Sequence, residues 1–397
     1  MIEEVRRTSD PRVVLISQRG RSQHVSHCLL HEFEDVVGCV ERADVLTYRG
    51  RLLDSAPLRK ACRHPLGARI ARRIASRRAR LHRRYELAFV TVQNPGGILD
   101  LQPFDWLRDA ATRLACWIEE FWPSTMAEHP GTVATLRDFD QIFTSHERTA
   151  TLLEQATGRP ASVLRTPVDA LRFTAHGRRD DRPIDVYCMG RRLPGVHAAM
   201  KRLAAERNWF HLFDTRGGAT VNDSSEHREL LASLIGRSRY FVVSPATPKG
   251  ARASDECGLA ARFFEGAAGG AVMIGSVPDV PAFSECFPWP DAVVPMADDG
   301  SDAAEVIAGL EQAPSRRLSI SHRNMAESLR RHDAAHRWRA VLDAMGLAAE
   351  PALEQRERRC LALAEELAPE IEPTAAAADP MIHAIPFVAD VGRGASA

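Results

Sequence analysis

Short apolar runs alternate with segments of helical period along most of this chain, and that alternation limits its fold more than any other feature. RVVLIS (12–17) is an apolar run that ends in polar QRGRSQ. HVSHCLLHEFEDVV (24–37) then puts Val25, Cys28, Leu29, Phe33 and Val36 on one helical face, and ADVLTY (43–48) is again strand-like. A strand, loop, helix, strand opening is the signature of a parallel sheet. ELAFVTVQ (86–93) reads as a third strand, NPGG as a break and FDWLRDAATRL as a short helix, while CWIEEFW (116–122) fits a strand or a short helix. QIFTS, HERTATLLEQATG and ASVLRT give strand, helix and strand, with Gly158–Arg159–Pro160 as the helix stop and a turn at Pro167.

HGRRDDRP (176–183) is charged, has one Gly and one Pro, and lacks large apolar residues, so it reads as a linker. After it the alternation restarts. IDVYCMG is a strand, 195–207 a helix, WFHLFDT a strand, HRELLASLIGRSRYFVVSP a helix and a strand, DECGLAARFFEGAAGG a helix and AVMIG a strand. AAEVIAGLEQ and the long segment 322–345 are helical. The chain thus divides into two α/β domains, 1–176 and 182–320, followed by a C-terminal helical segment, 321–350. Residues 367–397, rich in Ala and Pro and without periodicity, read as a mobile tail.

Composition narrows the function classes. Of 397 residues 45% are hydrophobic and 26% charged, with a formal net charge of zero, so bulk electrostatics point to neither nucleic acid nor membrane. MIEEVRRTSD lacks the apolar core of a signal peptide, and no apolar run reaches the ~20 residues needed to span a bilayer. The eight Cys form no CxxC pair, which fits reduced thiols in a cytoplasmic protein. The stretch 59–84 holds eleven Arg or Lys and no acid, with Leu66, Ile70, Ile74, Leu81 and Tyr85 at near-helical spacing. It reads as a basic amphipathic helix, either a solvated face or a peripheral contact with an anionic membrane. Without interleaved aromatics it does not read as a nucleic-acid site.

Within AARFFEGAAGG (260–270), a helix opening near Asp255 would bury Leu259, Phe263 and Ala267. Gly269–Gly270 would cap it before the strand AVMIG. Glu265 on such a helix is either a solvated charge or a ligand-facing carboxylate, because parallel sheets bind ligands at the carboxyl ends of their strands. A carboxylate there takes ribose hydroxyls, and helix N-termini take phosphate. His332 and His336, four apart, would share a helix face, which suits a surface ion-pair network better than a metal.

The second half resembles the donor domain of GT-B glycosyltransferases. RFFEGAAGGAVMIG is similar to the family stretch in which an Arg-x-x-Glu helix runs through small residues into an apolar strand, and there the glutamate holds the donor ribose. FDQIFTSHERTATLLEQATGRPASVLRTPVDALRF resembles the end of the family's first domain, and VYCMGRRLPG its strand-Gly-Arg opening of the donor domain. The three agree in order and spacing over 139–300, and 322–345 resembles the helices that return to the first domain. The resemblance implies two Rossmann-like domains facing across a cleft. It also implies a glycosyltransferase with a nucleotide-sugar co-substrate, no cofactor, and a small-molecule, lipid or glycan acceptor. The thiols put it in the cytoplasm, and no metal is expected because no DxD-type carboxylate pair stands in a matching place, Asp298–Asp299 lying in a loop.

The donor side would comprise Glu265 at the ribose and Arg191, Arg192 and Lys249 near the diphosphate. Gly190 and Glu256 lie beside them, and Arg262 would pair with Glu265 or meet phosphate. The catalytic candidates are Arg191 with a first-domain base, Glu120 or His24, for which Glu119 and His27 are neighbouring options. Trp117 and Trp122 would be core aromatics or a sugar platform. Two departures stand out. Retaining members commonly carry a second glutamate eight positions before the first, where this chain has Cys257, with Asp255 and Glu256 just beside it. Six residues after Arg191 stands His197, and the next Lys is Lys201. A nucleotide-sugar epimerase and an inactive nucleotide-binding module share the same fold and remain as alternatives.

Overall fold

The computed structural model describes residues 2–6, 8–19, 23–48, 83–100, 105–179, 181–190, 192–215, 220–248 and 256–368. Most of the basic stretch 59–84, the tail beyond 368, Arg191, Lys249 and Asp255 lie outside them.

Two sheets carry the chain. The first holds strands β1 (Ile2–Arg6), β2 (Val13–Ser17), β3 (Ala43–Tyr48), β4 (Tyr85–Val92), β5 (Ala111–Ile118), β6 (Gln141–Thr144) and β7 (Ala161–Val163), in the order β1-β3-β2-β4-β5-β6-β7. Every pairing is parallel except the β1–β3 edge, which is antiparallel. The second sheet holds β8 (Ile184–Cys188), β9 (His211–Phe213), β10 (Ser238–Val243), β11 (Val272–Gly275) and β12 (Val294–Pro295), all parallel, in the order β12-β11-β10-β8-β9. Strands buried on both faces carry continuous apolar runs. Leu114 to Ile118 are wholly buried, so the ambiguous CWI segment is strand. The FDWLRDAATRL helix is cut to Asp105–Ala110 because its second half enters β5.

Helices cover the sheets. α1 (Cys28–Val40) packs Phe33 against Trp117 and Phe89 of the first sheet. α2 (Glu147–Thr157) ends at Gly158 in the left-handed region, as its Gly-Arg-Pro stop requires. α3 (Ala170–Gly177) precedes the charged linker, yet its Phe173 packs in the core of the second sheet, with Phe263 and Ile235. α4 (Pro194–Arg207), α5 (Ser224–Gly236) and α6 (Ala261–Ala268) belong to the second sheet.

The helix expected over 322–345 is two helices, α7 (Pro314–Arg331) and α8 (Ala334–Ala344). The crossover between domains breaks it. The Val168 N–H donates to His332 O at 3.1 Å, and the Ala334 N–H donates to Val168 O at 2.9 Å. Asp333 then caps α8 by accepting from the Ala335 N–H. The break sends α8 to the first domain, where Trp338 stands edge-on to Phe89 at 5.6 Å. α7 stays with Met325 and Leu329 in the second core. It also dissolves the shared face of His332 and His336. His332 is buried against Phe264 and Phe287, and His336 Nε2 lies 2.9 Å from Leu329 O. A further helix, α9 (Pro351–Leu367), has no counterpart in the sequence reading. It places Leu353 in the first core and Cys360 and Ala364 in the second.

Candidate active site

The carboxyl ends of both parallel sheets face one cavity of about 670 Å³, as expected for ligand sites of such sheets. Gln93 follows β4, Glu119 and Glu120 follow β5, and Ser145 and His146 follow β6. From the other side come Met189 after β8, Pro245 and Ala246 after β10, and the stretch Cys257 to Glu265.

The first-domain wall is acidic and aromatic. The Gln93 amide donates to Glu119 Oε2 at 2.7 Å, and Trp122 Nε1–H donates to Glu120 at 3.0 Å. Burial, helped by Glu120 and by Glu265 across the cavity, pushes the Glu119 carboxyl up to about 8. The ring of Trp122 lies 4.2 Å from that of His146. Desolvation lowers the His146 pKa.

The second-domain wall differs from expectation at its start. α6 begins at Ala261, not near Asp255, because the preceding residues are extended: Gly258 and Ala246 exchange two backbone hydrogen bonds of 2.9 Å. A side chain at 258 would come within 2.6 Å of His146 and 3.2 Å of Trp122, so only glycine lets this segment touch the first domain. Glu256 lies on the same segment and accepts from the Ser124 amide at 3.0 Å and its hydroxyl at 2.6 Å.

Glu265 is not a solvated charge. It is 3% exposed and ion-paired with Arg228 of α5, the position anticipated for Arg262. Arg228 also reaches Glu32 of α1 at 2.8 Å, so one buried guanidinium joins carboxylates from both domains. Glu32 further accepts from Arg172 at 3.3 Å and from the Asp169 amide at 3.2 Å. Burial works against the Arg228 charge, but the two carboxylates more than offset it and raise its pKa. Burial raises Glu32, and Arg228 only partly opposes that. Neither Arg228 nor Glu32 was singled out from sequence. The available signal is a charge of each sign on an apolar helical stripe: Glu32 beside Leu29 and Phe33, Arg228 beside Leu231 and Ala232.

The other anticipated residues scatter more widely. Arg262 lines the cavity and donates to Ser244 at 3.3 Å. It is shared with a small recess that also holds Gly190 and Arg192. Gly190 has φ 74° and donates to Asp214 at 2.7 Å, and Arg192 lies over the Phe213 ring at 5.2 Å. Glu120 and Cys257 line the cavity. His24 does not: it is exposed and bonded to Ser26 at 2.8 Å. His27 is buried, and desolvation with His31 and His24 lowers it to about 4. Trp117 is wholly buried core, whereas Trp122 borders the cavity. No group of three or more His, Cys, Asp or Glu able to hold a metal occurs among the described residues.

Residues 165–343 match the model of a family described as glycosyl transferase-like. That span contains the whole second-domain wall of the cavity. No curated protein matches the chain. Among solved structures, it is similar to an alpha-glucosyltransferase in complex with UDP and DNA, with 12% identity, TM-score 0.47, and 84% of this chain and 99% of that one covered. It is also similar to Anabaena HepE in complex with UDP-glucose, with 11% identity, TM-score 0.49, and 84% and 99% covered. A third likeness is to S. aureus TarM, with 10% identity, TM-score 0.44, and 65% and 55% covered. At such identities, side-chain roles are read from this chain's own geometry. No described helix is long and apolar enough to cross a membrane.

Proposed function

We propose that this chain is a glycosyltransferase that binds a nucleotide sugar on the second-domain wall and transfers the sugar to an acceptor held against the first domain. The supporting observation is that the glycosyl transferase-like span forms one complete wall of a cavity whose other wall carries a carboxylate with a raised pKa. Glu265 offers its second carboxylate oxygen to the ribose, while Arg228 holds the first. Arg262 and, beside it, Arg192 supply positive charge for the leaving diphosphate, whose charge develops as the glycosidic bond breaks. In this reading cationic side chains take the part that a metal plays in other transferases. Arg191 and Lys249 are candidates for the same task, and the acidic Glu256 link to Ser124 holds the two walls together. The chain works in the cytoplasm.

The test is a titration of the full chain with UDP, GDP, TDP and ADP, followed by calorimetry or thermal unfolding. One diphosphate at 100 times its Kd should stabilise the fold by about 2.7 kcal/mol. Glu265→Gln should weaken it at least 10-fold. Failure of all four to bind refutes the donor site. Binding followed by donor turnover without any acceptor, giving an epimeric sugar, replaces transfer with epimerisation.

A further inference from the structure

We propose that Gln93, Glu119, Trp122 and Ser145 form the acceptor subsite, that it takes a neutral carbohydrate or other polyol hydroxyl, and that Glu119 receives that hydroxyl's proton. This rests on the donor reading above and deepens it.

Three observations carry it. First, the wall contains polar atoms without partners. Gln93 Oε1 and Ser145 Oγ are buried and make no hydrogen bond, and Gln93 as a whole is 7% exposed. Leaving such atoms buried and unpaired is unfavourable, so a ligand that hydrogen-bonds there is favoured. A hydroxyl donates to Gln93 Oε1 and a second one pairs with the Ser145 hydroxyl, whereas an aliphatic chain satisfies neither. Second, Trp122 borders the cavity with its ring braced on His146 and its N–H held by Glu120, a fixed apolar face of the kind that sugar rings stack on.

Third, Glu120 on this wall makes no described ion pair, and Glu119 adds a second negative charge as pH rises through about 8. Two of the cavity arginines are engaged elsewhere. Arg228 is bound by Glu32 and Glu265 and Arg165 by Glu147 and Glu285, whereas Arg148, which also lines the cavity, stands at the exposed start of α2. Arg262 is on the donor wall, beside Ser244. Glu119 and Glu120 therefore face the acceptor without a cationic partner among the described ion pairs. A phosphorylated lipid, a sugar phosphate or a nucleic acid would bring its own charge against Glu120 and, above about pH 8, against Glu119 as well.

Glu119 is assigned over Glu120 because Glu120 accepts from the Trp122 indole, whereas Glu119 Oε2 is positioned by the Gln93 amide and Oε1 faces no donor in the hydrogen bonds described. In the step, the acceptor oxygen bonds to the anomeric carbon and the anomeric carbon–phosphate oxygen bond breaks. That electron pair leaves with the diphosphate. The hydroxyl proton passes to Glu119 and thence to water. A carboxyl raised to about 8 has a proton affinity near working pH, which suits this exchange. The ionised base grows as pH rises through that value, so rate rises with it.

The experiment uses the full chain with the diphosphate sugar whose diphosphate binds. Diphosphate release is followed from pH 6 to 9 with water, with neutral methyl glycosides, with sugar phosphates, with oligonucleotides and with anionic phospholipid vesicles. Release should rise with pH and be accelerated by neutral glycosides. Glu119→Gln should lose at least 100-fold and flatten the profile, with diphosphate Kd unchanged within twofold, and Glu119→Asp should recover part of the rate. Trp122→Ala should raise KM for the glycoside at least 10-fold with a smaller change in kcat. Glu119→Gln with the wild-type rate and profile overturns the proton role, as does a chain that binds diphosphate but turns over no donor. Preference for sugar phosphates, oligonucleotides or anionic vesicles overturns the acceptor class. If no diphosphate binds, the donor reading has failed instead. The subsite is then judged by tryptophan fluorescence with maltose: a change lost in Trp122→Ala upholds it, and no change overturns it.

Discussion

Replacing Arg228 by methionine should be among the most damaging single changes outside the apolar cores. Arg228 is 3% exposed and meets Glu32 at 2.8 Å, with Glu265 on its other nitrogen, and the two carboxylate side chains are 1% and 4% exposed. At an effective dielectric of ~20 and a charge separation of ~4 Å each attraction is about 4 kcal/mol. Removing one partner of a buried pair costs about 3–5 kcal/mol, and here two carboxylates are stranded by one substitution. A stranded carboxylate takes up a proton on folding, so its folded pKa rises above the unfolded value of ~4.3. The folded chain then binds more protons than the unfolded one. Stability of the variant falls as pH rises, by about 1.4 kcal/mol per pH unit for each carboxylate, until the raised pKa is passed. The assay is urea unfolding at pH 5, 6, 7 and 8, followed through the buried Trp117 and Trp338. The deficit should be small at pH 5 and reach at least ~3 kcal/mol at pH 7. Adding Glu32→Gln and Glu265→Gln should abolish the pH slope. A loss below ~0.5 kcal/mol at pH 7 without a slope would refute the reasoning.

Three further outcomes follow. Asp333→Asn removes a two-point pair with Arg356, both contacts at 2.8 Å, and should cost about 3 kcal/mol at pH 7 in chemical unfolding. Burial pushes Asp333 up, but the Arg356 hydrogen bond and charge outweigh it and hold the pKa low. Its contribution is thus present above ~3.9 and lost as pH falls through the folded value, so the gap to wild type should close toward pH 3. Gly177→Ala would place a carbon 2.5 Å from the Gly269 carbonyl oxygen and 2.8 Å from the Met325 sulfur, and should lower stability by about 1–3 kcal/mol in the same assay. Arg262→Ala should weaken diphosphate binding about 10-fold, or ~1.4 kcal/mol by calorimetry, while leaving the ligand-free unfolding midpoint unchanged.

The alternation of strand and helix was legible because both periods are local: two residues for a strand, 3.6 for a helix. It marked β2, β3, β4, β6 and β7, α1, α2, α4 and α5, and β8 to β11 of the second sheet, while β5 was half read as helix and β12 was not marked, and it brought Glu265 and Glu120 forward as candidates. Boundaries set by distant backbone partners were not legible. α6 starts late because Gly258 pairs with Ala246, and the 322–345 segment breaks because Val168 claims the peptide groups on either side of Asp333. No local pattern reports either partner. The site follows the same division. Glu265 was visible in RFFEG, but its burial and its partner were not, since Arg228 lies 37 residues upstream and Glu32 a further 196. Glu119 and Glu120 are chemically alike in sequence. Only the folded cavity separates them, by giving one an amide and a desolvated position and the other an indole. Sequence alone thus determined two parallel α/β units and the residue types at their strand ends. The tertiary structure decided which of those residues are paired, dry or facing one another, because charge interaction and desolvation depend on distance in space rather than along the chain.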